Sequence, residues 1–136
     1  MDSIGNFLGT LTGLGFGLAL LNYPVKWINK RWISKLPKDS SVRQLYLTLM
    51  KWIVKNHRYF ALAAAVALVI HLTLQITFKW VSSTGLIAAG LLISTVLLGA
   101  YGFVVLKGKR GKWLNVHQLL TVLTVFAILV HDSLKF

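Results

Sequence analysis

Four histidines carry the chemistry in this 136-residue sequence, and they come as two matched pairs. His57 and His71 lie 14 residues apart, and so do His117 and His131. At 3.6 residues per turn, 14 residues make almost four full turns of helix, so the members of a pair face one direction about 21 Å apart along the axis. A neutral imidazole offers one nitrogen lone pair to a metal and can also carry a proton. If the two pairs sit on parallel helices, their members meet as two cross-helix couples at different depths. Two imidazoles on opposite sides of a flat ring are what an iron porphyrin requires.

A lone histidine in an apolar helix is more often a polar residue satisfied by a neighbouring helix. Two equal spacings point beyond that, because ionisable residues within a membrane are costly and usually functional. Zinc or another bare cation is poorly served, since no carboxylate or thiol within the membrane completes four-coordination. The sequence has no cysteine, which excludes disulfides, thiolate metal sites and iron–sulfur clusters.

The elements that must position these residues are membrane spans. Hydrophobic residues make up 56% of the sequence and charged residues only 13%, with a mean hydropathy of +0.68. That composition suits a lipid bilayer as solvent. Crossing the hydrocarbon takes about 20 apolar residues, and four segments provide them: Ile4–Tyr23, Tyr59–Phe78, Gly85–Leu106 and Trp113–Leu134. The first lacks a basic leader, with Asp2 the only charge before it, and is read as a retained helix rather than a signal peptide. The expected fold is a single all-α domain over residues 1–136, a four-helix transmembrane bundle with helices near 4–23, 42–80, 84–107 and 113–134.

Charge sets the expected orientation. The net charge is +12, which in a soluble protein would suggest nucleic acid. Here thirteen of the fifteen basic residues fall in two connections, Lys26–Arg58 and Lys107–Lys112, while only Lys79 and Lys135 fall on the other side. The positive-inside rule then places the basic connections in the cytoplasm and both termini outside a cell membrane, and nucleic acid is set aside. Pro24–Pro37, with Trp27, Ile28, Trp32 and Ile33 among basic residues, suits either an amphipathic helix in the headgroup layer or a basic loop. Val42–Asn56 is amphipathic, so the second helix is expected to project beyond the membrane.

Helices two and four run in the same direction, which puts His57 with His117 on the cytoplasmic side and His71 with His131 on the outer side. The histidine face of helix two carries Ala61, Ala64 and Leu68, and the same offsets on helix four are Thr121, Thr124 and Ile128. Their small members are expected to leave room for a macrocycle. Lys55, Arg58, Arg110 and Lys112 lie near the cytoplasmic couple and could contact haem propionates, or could anchor their helices at the interface. Lys79, Ser82, Ser83 and Lys135 are the donors at the outer level, where Asp132 is the carboxylate nearest His131. Gly5, Gly9, Gly13 and Gly17 form a stripe on helix one, where a neighbouring helix, a porphyrin face or a second copy of the chain could approach closely. Gly90, Gly99 and Gly102 on helix three allow the first two of these.

The pattern His57-x13-His71 with His117-x13-His131 resembles the di-haem core of membrane b-type cytochromes. It is similar to the cytochrome b of quinol-oxidising complexes and to the ferric reductase-like transmembrane family. Asn56-His57-Arg58-Tyr59 and Trp113-Leu114-Asn115-Val116-His117 also look like small bacterial cytochromes of that type. The resemblance covers Arg43 to His131. It implies a four-helix bundle with two haem b groups per chain, all four histidines as axial ligands, and transmembrane electron transfer involving a quinone or a redox partner protein. The alternatives are a quinol-dependent ferric or other metal reductase, and a haem-bearing anchor subunit of a larger oxidoreductase. The flavin and nicotinamide domains of ferric reductases are not expected in this sequence.

Overall fold

The computed structural model describes residues 2–134. Its helices are α1 (Asp2–Leu20), α2 (Asn22–Arg31), α3 (Ser41–Phe78), α4 (Ser83–Val104) and α5 (Lys112–Ser133), with a 3₁₀ turn at Ile33–Lys35. Among the described residues four stretches are long and apolar enough to cross a membrane. The fold is all-α, a four-helix bundle of membrane-spanning helices.

The joint between α1 and α2 follows from Pro24. Proline has no N–H to give the carbonyl of Leu20, so the helical ladder loses one rung there. Val25 N–H resumes it by bonding Leu21 at 3.1 Å. The first helix therefore stops at Leu20 rather than Tyr23, and Asn22–Arg31 forms a helix of its own. Trp27 within this helix and Trp32 just after it meet edge to face at 5.1 Å. Two bonds tie the stretch Val25 to Leu36 to the start of α3: Tyr46 Oη donates to Val25 O at 2.8 Å, and Arg43 Nη1 to Leu36 O at 2.7 Å.

At 38 residues, α3 is about 57 Å long, against a hydrocarbon core of about 30 Å. It is therefore longer than the apolar layer by about five turns. Ser82 caps α4 by accepting the Gly85 N–H at 3.1 Å. At the far end of α4 the chain reverses through Lys107 (φ 49°) and Gly108 (φ 72°), and Gly108 N–H bonds back to Gly102 O at 2.9 Å. That left-handed step favours glycine.

The bundle is two antiparallel hairpins. α1 lies along α3, α4 lies along α5, and the hairpins join mainly where α3 meets α4. The histidine-bearing helices α3 and α5 are not packed closely along their length. Mid-bundle, Phe16, Ala64, Leu68, Ala89 and Leu92 form the core, with Leu72, Val125 and Ile128 against it. Around the outside, large apolar side chains such as Leu62, Val66, Leu97 and Phe126 are exposed, as lipid-facing positions should be.

The structure corrects one expectation. Ala64 and Thr124, thought to leave room beside the histidines, are both fully buried and filled in. A Cβ on Gly15 would stand 3.2–3.3 Å from the Ala64 backbone and Cβ, so this pair lets α1 and α3 close together. Thr124 Oγ1 lies 3.1 Å from Thr95 Oγ1 and joins α5 to α4. Small residues here bring helices together within each hairpin.

Candidate functional site

All four imidazoles are held by the neighbouring helix of their own hairpin. His57 Nδ1 lies 2.8 Å from Ala19 O, His71 Nδ1 2.9 Å from Gly5 O, and His117 Nδ1 3.1 Å from Thr95 O. A carbonyl can only accept, so in these three bonds Nδ1 carries the proton. In the neutral ring Nε2 then keeps its lone pair. His131 Nδ1 instead meets two hydroxyls, Thr84 Oγ1 at 3.2 Å and Ser82 Oγ at 3.4 Å.

These anchors also define the levels. Ala19 and Gly5 are 14 residues apart on α1, matching the histidine interval on α3 because the two helices run antiparallel. Gly99 and Gly85, again 14 apart, lie against the rings of His117 and His131. A Cβ on either glycine would stand 3.1 Å from the ring Cε1, and a Cβ on Gly9 would stand 3.4 Å from that of His71. His57 and His117 therefore sit at the end bearing the two basic connections, His71 and His131 at the other. The core residues Phe16, Leu68 and Leu92 fill the space between.

At the basic end the two rings meet edge to face, with centroids 6.5 Å apart and planes at 88°. With metal–nitrogen bonds of about 2 Å and each ring centre about 1 Å behind its nitrogen, an ion held between two imidazoles sets their centres roughly 6 Å apart. Two axial rings can turn independently about the metal–nitrogen axis, so perpendicular planes are compatible with this. Trp113 stands next to His117, ring centroids 6.3 Å apart. Its ring occupies the space a Gly102 side chain would take, and Nε1 donates to Lys109 O at 2.8 Å.

The four cations singled out from the sequence are placed unequally. Arg58 lies over the rings of Tyr59 and Phe103, 4.9 and 4.7 Å from their centroids, and so bridges α3 and α4. Lys55 is about 200° around the helix from His57 and points away from it. Arg110 and Lys112 are exposed at the turn and start of α5. Burial, and to a lesser degree the positive charge of Arg110, hold the Lys26 ammonium below its ordinary pKa. At the opposite end Ser82 and Thr84 reach His131, while Lys135 lies outside the described residues.

Of the anchors, sequence reasoning picked out Gly5 only as part of the glycine stripe, and Ala19, Gly85, Thr95 and Thr84 not at all. The repeat of the 14-residue interval on helices one and three is the signal that could have found them. The glycine stripe on α1 is split: Gly5 adjoins Gln75 and Gly9 adjoins His71, whereas Gly13 and Gly17 have open space before them. Among the described residues no three histidines, cysteines or carboxylates converge. Each end offers two imidazoles, one from α3 and one from α5.

No match is found. Family models, curated proteins and solved structures were each compared with this chain, without result.

Proposed function

We propose that this chain is a di-haem b-type membrane cytochrome that carries electrons across the bilayer, with His57 and His117 holding one haem iron and His71 and His131 the other. The observation that carries this reading is the common anchoring of the histidines. Each ring is tied through Nδ1 to the adjoining helix, and in the three that donate to a carbonyl Nε2 keeps its lone pair for a metal. Metal-ligating histidines almost always donate their other ring N–H in this way, which fixes the tautomer and raises the basicity of the ligand. Histidines serving only to join helices need no such uniform orientation.

The residues fit the group in three further respects. The 6.5 Å separation at the basic end suits one metal ion between two imidazoles. Glycines against three of the four rings let the helices approach without side chains in the way. The loose seam between α3 and α5 leaves the histidine-bearing helices apart, where the hairpins themselves are tight. Bound there, the haems would supply single-electron chemistry at six-coordinate iron, with no open position for oxygen.

The protein's share is then to hold two ligand pairs about 21 Å apart on rigid helices and to keep water out of the middle. Phe16, Leu68 and Leu92 do the latter. Arg58, Arg110 and Lys112 would balance propionate charge at the basic end. That end faces the cytoplasm and both termini lie outside, by the distribution of lysine and arginine. A membrane quinone or a redox partner protein would exchange electrons at one end and an acceptor at the other.

The test is haem content. Protein purified in detergent from haem-sufficient cells should carry two haem b per chain and show the absorption of low-spin reduced haem. Material that is folded, by circular dichroism, but colourless would overturn the reading. A reporter fused to either terminus should be active only on the outer side.

A further inference from the structure

A groove between α1 and α3, about half a turn around α3 from the histidines, takes no part in the proposed electron transfer. It has a volume of about 410 Å³. Ala63 and Ala67 line it from α3, Leu8 and Leu11 from α1, with Tyr59 at the basic end and Ile70 at the other. Every one of these residues is apolar except for the tyrosine hydroxyl. Tyr59, Leu11 and Ile70 are exposed, so the groove opens sideways to the surrounding lipid.

Its dimensions select an occupant. From Tyr59 to Ile70 is eleven residues, about 16 Å of helix, or roughly half of a hydrocarbon core about 30 Å thick. The groove therefore runs the depth of one leaflet, starting from the basic end. There the Arg58 guanidinium donates to Tyr59 Oη at 3.1 Å. Lys55, one turn before Tyr59, continues the same strip of α3 and is exposed. An apolar channel one leaflet deep, topped by two cations, has the length and charge of a single anionic phospholipid chain with its headgroup. A second helix, about 10 Å across, would span both leaflets, and a neutral quinone headgroup would leave the cations unanswered.

We propose that this groove binds an anionic phospholipid, with one acyl chain along Ala63 and Ala67 and the phosphate at Arg58 and Lys55. The groove lies away from the histidines and shares only Arg58 with the propionate contacts proposed above, and haem absorbance recorded alongside keeps the two readings separate.

Native mass spectrometry of the detergent-purified chain, titrated with phosphatidylglycerol or with phosphatidylcholine of the same acyl chains, tests the proposal. One phosphatidylglycerol per chain should be retained, at least tenfold more tightly than phosphatidylcholine. Ala63→Leu, which fills the groove from an exposed position, should abolish retention without altering haem absorbance or the helical circular dichroism. Arg58→Gln should remove the preference for phosphatidylglycerol. In the unaltered protein, phosphatidylglycerol bearing a diazirine on its acyl chain should label α1 and α3 near Leu8, Leu11 and Ala63. Equal retention of the two lipids, labelling spread evenly over the four spans, or displacement by a neutral isoprenoid quinone would each overturn the proposal.

Discussion

The two ends of the bundle use the same side chains and hold them differently. At the basic end both histidines lean on main-chain carbonyls, Ala19 for His57 and Thr95 for His117, and their rings stand 6.5 Å apart. At the other end only His71 does so, through Gly5, while His131 rests on the hydroxyls of Ser82 and Thr84. A carbonyl fixes the proton on Nδ1, and no substitution removes it. A hydroxyl can donate or accept, so it fixes the tautomer less strictly and can be deleted. One end is built into the backbone and the other is open to adjustment by side chains.

Deleting ligands puts the largest strain on this comparison. Replacing His57 or His117 by alanine should remove one and the same haem, and replacing His71 or His131 should remove the other. Each variant is expected to retain about half the haem of the unaltered protein, with matching spectral losses within a couple. Four different losses, or loss of both haems from every variant, would break the pairing of α3 with α5.

Next comes crowding of a ring. A Cβ on Gly99 would reach within 3.1 Å of His117 Cε1, closer than such contacts normally come, so Gly99→Val must turn the ring or part the helices. Loss of most basic-end haem is expected, with the opposite end spared. Gly13, on α1, has nothing within 4 Å of the corresponding position. Gly13→Ala should leave the helix fold intact, and any fall in haem content would show that its open space belongs to a porphyrin edge. Haem-to-protein ratio and the reduced spectrum read both variants.

The sequence made the four histidines legible and left their supports hidden. Equal intervals between His57 and His71 and between His117 and His131 follow from helix geometry alone, as do four spans of about 20 apolar residues. What a neighbouring helix does with such a residue depends on crossing geometry, which no single segment encodes. The carbonyls of Gly5, Ala19 and Thr95 belong to the backbone, so residue type gives no sign that they are used. Ala64 and Thr124 show the same limit in reverse. Their smallness was visible, but whether it made room for a cofactor or for a helix depended on which element lay opposite. The break at Leu21 was readable in principle, since Pro24 must interrupt the ladder.

The adjustable end permits a gentler test. Thr84→Val keeps the shape of the side chain and removes the hydroxyl 3.2 Å from His131 Nδ1; adding Ser82→Ala removes the other. Loss of such outer partners typically costs 10–100-fold in metal affinity. The double variant should lose its outer haem more readily on dilution or to a haem-binding competitor, and shift the potential of that haem alone. An equal shift at both potentials would mean that the two ends are not independent.

The smallest effect is expected mid-bundle, where Thr95 belongs to both the packing and the site. Its hydroxyl lies 3.1 Å from that of Thr124 while its carbonyl holds His117. Both hydroxyls also reach carbonyls one turn back, Leu91 and Leu120, so neither is stranded if the other goes. Thr124→Val should therefore destabilise the bundle by only about 0.6 kcal/mol, the average for hydrogen bonds between membrane helices. Denaturant titration in detergent measures that loss. If the Thr95–Thr124 bond also sets the position of the Thr95 carbonyl, Thr124→Val will move the basic-end potential and leave the outer one in place. A potential that does not move would assign the threonine pair to helix packing alone, and leave the backbone of α4 as the sole support of His117.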